Sequence, residues 1–422
     1  MRKSVKIRKI IYEILNVIYK ENLNYEQTFL YFTKNISLSE QERSMIYNVV
    51  LNTMRLTFYI NNILKQYLTK RTKNKVKILI LSAITQIIYL DFKDYAVTND
   101  TVEVAKIKNL NPSLINSLLK NIINDRDSIN LDSFDYSDLP NWFLDNIKKK
   151  NTIDVGKFLK NISKEPSLHL VFKNNNFITI FDEDHIKTSD RSVFVLERNK
   201  VNEISGFSDG NWWVQDFSSM LPIYLSPEIK GKKIIDLCSA PGGKAFQAIS
   251  LGGEIRLNDI SLKRLDILKE NLNRLKISAE ITNLNALNIS EEEKFDVVVL
   301  DSPCSGIGTI RRNPEILFKK EPPNLDKLTK IQNSLVFKAS KLLKNGGILI
   351  YMVCSFFYEE TEAIKNNFLQ DNKNFSHKKF KLNNENDLSQ FINNEGDIYC
   401  IPSAYKNYMI DGFYACKFIK ND

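Results

Sequence analysis

Two near-continuous apolar runs, residues 295–300 and 347–353, constrain this chain more than any other feature. Residues that stay apolar at successive positions cannot alternate between core and solvent. Such runs fit strands buried on both faces, as in a parallel sheet covered by helices. Helix-like spacing at 261–276 and 325–344 supplies covering layers, and 233–237, 254–258 and 280–284 read as further strands. This order predicts a doubly wound α/β domain over residues 206–422, with the tail adding strand candidates at 399–401 and 412–418.

Each of the two strongest runs leads directly into a cysteine, in Asp301-Ser-Pro-Cys304 and in Val353-Cys354-Ser355. Most free cysteines are small buried hydrophobes. The chain has only five, however, and two at corresponding strand ends bring thiols to one sheet edge, where open α/β sheets bind ligands. The strand at 233–237 runs into Asp236-Leu-Cys238-Ser239-Ala240-Pro241-Gly242-Gly243-Lys244. Its glycines allow backbone torsions and a close ligand approach that side chains would obstruct. The segment is neither a dinucleotide fingerprint nor a phosphate-binding P-loop, since it has neither G-x-G-x-x-G nor Gly-Lys followed by Ser or Thr. Asp259 lies 23 residues after Asp236, at the end of the next strand. A carboxylate there can accept both ribose hydroxyls of an adenosine-containing cofactor. It can also cap the helix beginning near Leu262, and the two roles are compatible.

The first 130 residues have a different texture. Ile7, Ile10, Ile11, Ile14, Leu15 and Ile18 recur at helical spacing. Ser39 and Glu42 form a capping-box pattern before Met45, Val49, Val50 and Met54. Further helices are predicted across 56–68, 74–90, 97–107 and 111–124, giving an all-helical domain over 1–130. Residues 131–205 read as a connecting module with a short helix after Pro140 and strands at 168–172 and 177–181. His169 and His185 lie in it without a Cys/His cluster, so no metal site is expected.

Net charge is +9, and its distribution matters more than its size. Residues 1–90 hold fifteen Lys and Arg against five Asp and Glu, which leaves the rest of the chain near neutral. A basic field of that kind favours phosphate backbones without reading sequence, although a lysine-rich composition can also produce it with no ligand. The cysteine spacing suggests no disulfide framework, and the basic start is followed by no pure apolar segment. Both predict a protein of the reducing cytoplasm. Residues 78–90 are apolar but short and broken by Thr85 and Gln86, so no membrane span is expected.

Taken together, the segments 236–244, Asp301-Ser-Pro-Cys-Ser-Gly-Ile-Gly-Thr309 with Arg311-Arg312-Asn-Pro314, and 353–355 resemble class I S-adenosylmethionine-dependent methyltransferases, more narrowly the RNA cytosine C5-methyltransferases. Val214-Gln-Asp-Phe-Ser-Ser219 is similar to that family's entry into the catalytic domain. The resemblance implies S-adenosylmethionine as cofactor, with residues 238–244 around its methionine portion and Asp259 on its ribose. Asn285 stands where the family commonly has Asp beside the adenine, and Asp301 and Lys244 lie at the reacting end. It further implies that Cys354 attacks cytosine C6 while Cys304 assists product release. Strand-end spacing alone would suit either thiol. Lys244 is also close enough to favour a Cys354 thiolate, and Asp301 is the natural group to relieve charge at N3.

The helical region resembles the RNA-binding domain of NusB type, through Glu42-Arg43, Tyr47, Arg55, 96–102 and 116–119. The combination resembles the bacterial family that methylates cytosine 967 of 16S ribosomal RNA. That implies 16S rRNA or a small-subunit assembly intermediate as partner, with Arg43, Arg55, Arg311 and Arg312 as candidate RNA contacts and a monomer as the working form. Arg311 and Arg312 could instead orient the Asp-Ser-Pro-Cys loop. The chain departs from the family at Val171, where a positive residue is usual, and at Thr361, where Asn is usual. Another RNA cytosine, or a non-catalytic ribosome-assembly factor on the same fold, are the competing readings.

Overall fold

The computed structural model describes the chain apart from residues 22, 69–71, 131–132, 135–137, 150–152, 197–199, 291–293, 320, 383–385 and 422. It divides into two compact units, Met1–Glu165 with Ile310–Pro322, and Pro166–Thr309 with Pro323–Asp422. The stretch 131–205 is thus shared between them, and the expected boundary after residue 130 meets residues outside the described set.

The first unit is helical: α1 (Lys3–Glu21), α2 (Tyr25–Thr33), α3 (Glu40–Leu64), α4 (Asn74–Ile84), α5 (Asp94–Ile107), α6 (Pro112–Asn124), α7 (Asn141–Lys148) and α8 (Val155–Ile162). The capping box at Ser39 and Glu42 is present, with both reciprocal hydrogen bonds. The helix it starts does not stop before residue 56, because no glycine or proline interrupts α3. One long helix therefore replaces the two expected. Helix α2 was not anticipated; its start is fixed by Asn24, whose side chain accepts from Gln27 N at 2.9 Å. Beyond α4 the chain continues as a π-helical turn, Thr85–Tyr89, where the Thr85 hydroxyl bonds back to the Leu81 carbonyl at 2.9 Å. Inside the bundle, Arg8 of α1 and Asp100 of α5 form a buried ion pair at 2.8 Å.

The segment 310–322 completes this unit from far along the chain. Arg55 Nε donates to the Arg311 carbonyl at 2.7 Å, Arg311 Nε donates to the Asn161 carbonyl at 3.0 Å, and Tyr25 N donates to Glu315 Oε1 at 3.4 Å. Phe318 stacks on Phe58, with centroids 5.7 Å apart, and meets Tyr19 edge-on at 4.6 Å.

The second unit opens with β1 (His169–Phe172), a short helix α9 (Asn176–Thr179), β2 (His185–Ser189), β3 (Ser192–Val195) and β4 (Trp212–Val214). These strands form an antiparallel sheet in the order β2-β3-β1-β4. The strand expected at 177–181 is instead α9 and the turn after it. The Asn174 side chain accepts from Phe177 N at 3.3 Å, a local bond that favours the helical turn over an extended backbone.

The larger sheet contains β5 (Lys233–Asp236), β6 (Glu254–Asn258), β7 (Glu280–Thr282), β8 (Phe295–Asp301), β9 (Leu343–Val353), β10 (Phe375–Lys378), β11 (Ile398–Cys400) and β14 (Phe413–Lys420). The hairpin β12 (Ser403–Tyr405) with β13 (Tyr408–Ile410) stands apart. Strand order is β10-β14-β9-β8-β5-β6-β7, with β11 also on β14. Pairing is parallel from β9 through β7 but antiparallel at β14, β10 and β11. The sheet is therefore mixed, and parallel throughout only the part that carries the motifs.

Helices α10 (Phe217–Tyr224), α11 (Gly243–Ser250), α12 (Leu262–Leu275), α13 (Leu325–Lys341) and α14 (Glu362–Asp371) complete the unit. Alternate residues of β8 enter different cores. Val297 and Val299 pack with Phe246, Leu265 and Leu268, while Val298 and Leu300 pack with Leu335, Val336 and Phe368. This two-sided burial explains the unbroken apolar run, each such side chain contributing about 1.5–3 kcal/mol.

Candidate active site

Parallel register brings the motifs to one edge. Asp301, the last residue of β8, pairs with Met352 of β9, so Cys304 and Cys354 leave the sheet side by side. Their Sγ atoms are 3.2 Å apart, and both thiols are half-buried. Backbone bonds lock the two loops: Ser302 N donates to Met352 O at 2.9 Å and Gly308 N to Cys354 O at 3.0 Å. Glycine is required at 308, where a Cβ would lie 2.0 Å from the Gly412 carbonyl oxygen.

Lys244 Nζ donates to Asp301 Oδ2 at 2.7 Å, close to the thiols. Burial opposes the charge on Lys244, but the charge and hydrogen bond of Asp301, with Cys354 and Asp236 adding to them, hold its pKa above the ordinary lysine value. Cys304 is pushed well above the usual thiol range by its hydrogen bond with Cys354, then by burial and the charges of Cys354, Glu360 and Asp301. These influences favour the protonated form of Cys304, and either thiol can donate to the other.

Asp236 and residues 238–244 border a cavity of about 160 Å³ together with Val214, Gln215, Ser219 and Asp301. Cys238 is half-buried in it, with its thiol pushed up first by burial and then by Asp236. Ser239 Oγ donates to the Asn258 carbonyl at 2.9 Å, Ala240 joins Pro241 through a cis bond, and Gly242 at φ +117° caps α11. A Cβ at Gly242 would meet the Phe246 ring at 2.1 Å. Gly243 and Lys244 form the first turn of α11, whose N–H groups suit an anionic group.

Asp236 is 1 % exposed, and its Oδ1 accepts from Cys238 N at 3.2 Å. Burial, then the nearby charge of Asp301, push its pKa up to about 7. A buried carboxyl short of positive charge suits a cationic ligand group, and with the anion-seeking helix start it fits the zwitterionic end of an amino acid. The sign of its contribution to stability follows. The folded pKa exceeds the unfolded value, so the stabilisation is complete below about pH 4 and is lost as pH rises through 7. Asp236→Asn keeps an acceptor for Cys238 N and is expected to flatten the loss of stability between pH 5 and pH 8 by about 3 kcal/mol, read from urea unfolding at each pH. Identical pH profiles for the two proteins would refute this.

Asp259 follows β6 and is 2 % exposed. Its carboxylate accepts from Ala240 N at 3.2 Å and Ser261 N at 2.9 Å, with Arg264 at 3.5 Å. It braces the glycine-rich loop against the start of α12, whose cap is Ser261 rather than Asp259. Asn285 is exposed and caps the following turn by accepting from Leu287 N at 3.1 Å. Thr361 is buried and donates to the Phe357 carbonyl at 2.8 Å, and Val171 is buried in β1.

The arginines belong to the first unit. Arg311 is fully buried and Arg55 is 7 % exposed, so both guanidinium groups serve carbonyl oxygens of their own unit instead of standing open to phosphates. Arg43 is exposed above the Phe29 ring, and Arg312 is half-buried. Glu360, Gln332, Ser305 and Ser355 gather behind the thiols and were not anticipated. Their one sequence signal is the Ser that follows each cysteine. Among the described residues, no His/Cys/Asp/Glu group could hold a metal, and no helix is long and apolar enough to cross a membrane.

Parallel strands with a glycine-rich loop after the first, an acid after the second and cysteines after the fourth and fifth define a class I methyltransferase fold. Residues 222–419 match the family model described as 16S rRNA methyltransferase RsmB/F, and residues 5–124 match the NusB family. The chain therefore joins a NusB-family domain to a methyltransferase domain of the RsmB/F family. It is 27 % identical over 388 residues to ribosomal RNA small subunit methyltransferase B of Proteus mirabilis, covering 85 % of this chain and 90 % of that one. With the protein of the same description from Yersinia pseudotuberculosis it shares 25 % identity over 395 residues, 88 % and 91 % of the two chains. Among solved structures, PH0851 superposes with a TM-score of 0.70 at 18 % identity, covering 98 % of this chain and 99 % of that one. NSun6 from Pyrococcus horikoshii with SFG gives 0.54 at 16 % identity, covering 67 % and 97 %. Both show the same fold.

Proposed function

We propose that this protein transfers a methyl group from S-adenosylmethionine to C5 of a cytosine in 16S rRNA, cytosine 967 in the numbering of that molecule, acting on the free RNA or on a small-subunit assembly intermediate. The observation that carries the reading is the pair of thiols, 3.2 Å apart, beside the Lys244–Asp301 ion pair. The family assignment and the small-subunit rRNA methyltransferase relatives support the substrate. When bound, S-adenosylmethionine supplies the electrophilic methyl group, and residues 236–244 with Gln215 and Ser219 hold its amino-acid end.

The remaining work falls to this chain. Cytosine C5 is too electron-poor to accept a methyl group unaided. Cys354 gives its proton to solvent and, as the thiolate, adds its Sγ to C6, breaking the C5–C6 double bond and making C5 nucleophilic. Charge that develops at N3 is met by a proton held between Asp301 and Lys244. Once Cys354 is a thioether, the bond that first held the Cys304 proton is gone. Cys304 can then lose that proton to solvent and take the one on C5, which expels Cys354. A thiol of high pKa makes a strong base when it does ionise.

Bisulfite mapping of 16S rRNA from cells with and without the protein tests the target. Loss of one 5-methylcytosine at the proposed site is expected. An unchanged 16S rRNA with loss in another RNA would overturn the assignment.

A further inference from the structure

Glu360 takes no part in the steps above, yet it is fully buried. A carboxylate there costs several kcal/mol unless donors surround it. Four do. Oε1 accepts from Ser305 N at 2.8 Å and Gln332 Nε2 at 3.1 Å, and Oε2 accepts from Ser305 Oγ at 2.5 Å and Ser355 Oγ at 2.6 Å. Ser305 follows Cys304 directly and Ser355 follows Cys354 directly, so one carboxylate fastens both thiol-bearing loops. The anchorage extends further. Gln332 Nε2 also donates to the Pro303 carbonyl at 3.0 Å, and Tyr351 OH donates to the carbonyl of Glu360 itself at 2.8 Å.

We propose that Glu360 is the positioning residue of the thiol pair, holding the Cys304 and Cys354 loops in the register that keeps their sulfurs 3.2 Å apart. This rests on the reading of Cys354 as nucleophile and Cys304 as release group. Glu360 touches neither substrate nor cofactor in that reading and acts through Ser305 and Ser355. Hydrogen bonds donated to a carboxylate are shorter and stronger than those between neutral groups, which suits a clamp on two loops. Its charge adds to the field that keeps Cys304 protonated.

The test uses the full chain and two readouts. Diamide oxidises two adjacent thiols to a disulfide and takes up their two hydrogens, so the rate of a linked Cys304–Cys354 peptide reports sulfur proximity without RNA or methyl transfer. Glu360→Ala is expected to slow that cross-link about tenfold and to lower kcat about a hundredfold, with KM for S-adenosylmethionine within about twofold. In Glu360→Gln the two serine hydroxyls can turn to accept from the new amide. That variant is expected to restore cross-linking to within about threefold of the native rate and to recover at least about tenfold of the lost kcat. A folded Glu360→Ala protein with native cross-linking and kcat overturns the proposal. Should Glu360→Ala fail to fold, the Ser305→Ala/Ser355→Ala double variant leaves the carboxylate its other two donors and must show the same tenfold slowing. An unchanged rate there overturns the proposal equally. A protein that cross-links as expected but methylates no cytosine leaves Glu360 in its role and removes the proposed function instead.

Discussion

Cys354→Ala is expected to lower methyl transfer by at least about four orders of magnitude while cofactor affinity stays within about twofold. No other group stands ready to replace it. Cys304 is the thiol within reach, but its proton is held by the hydrogen bond with Cys354, by burial and by the charges around it. Without a nucleophile at C6 the pyrimidine keeps its electron-poor C5, and positioning the methyl donor alone leaves most of the barrier in place. The cavity proposed for the cofactor is bordered by Asp236, residues 238–244, Gln215 and Ser219 and not by Cys354, so binding is expected to be separable from chemistry. Single-turnover transfer of labelled methyl to a 16S rRNA fragment measures the first quantity, and titration with the demethylated cofactor measures the second. A Cys354→Ala protein of native activity would sink the nucleophile assignment.

Cys304→Ala is expected to fail in the opposite place. Attack by Cys354 remains, but the C5 proton has no base beside it, so the protein should accumulate covalently joined to its RNA. The adduct is read as a band that survives denaturing electrophoresis and disappears on ribonuclease treatment. Because Cys304 touches Cys354 and is only half-buried, removing its sulfur costs little stability, about 1 kcal/mol. A double Cys304→Ala/Cys354→Ala protein should form no adduct. Turnover of the single variant at the native rate without an adduct would place the release step elsewhere.

The parts of this molecule legible in the sequence are those where one requirement dominates. Strands β8 and β9 are apolar on both faces because both faces are covered, and the cysteines are next to them in the chain, so the sheet edge could be read directly. The antiparallel strands β10 and β14 were harder, since β10 carries His377 and Lys378 and nothing local states its pairing direction. Helix α9 was mistaken for a strand because short apolar runs have no decisive period, while the local bond from Phe177 N to the Asn174 side chain, which favours the helical turn, lies just ahead of the run. Arg55 and Arg311 look like phosphate ligands in a basic sequence, but their bonding partners include carbonyls far along the chain. Glu360 shows the same limit. Its four donors come from Ser305, Gln332 and Ser355, and only folding places them around one carboxylate.

The strap at 310–322 has a consequence for biosynthesis. The helical unit leaves the ribosome ahead of the second but is finished late, since Phe58 and Tyr19 await Phe318, and Arg55 awaits the Arg311 carbonyl, until most of the chain has been made. Domains generally fold as units during synthesis, N-terminal first. Here the earlier unit must idle with an open aromatic seam while the sheet strands β5 to β8 emerge, and it closes before β9 to β14 complete the second.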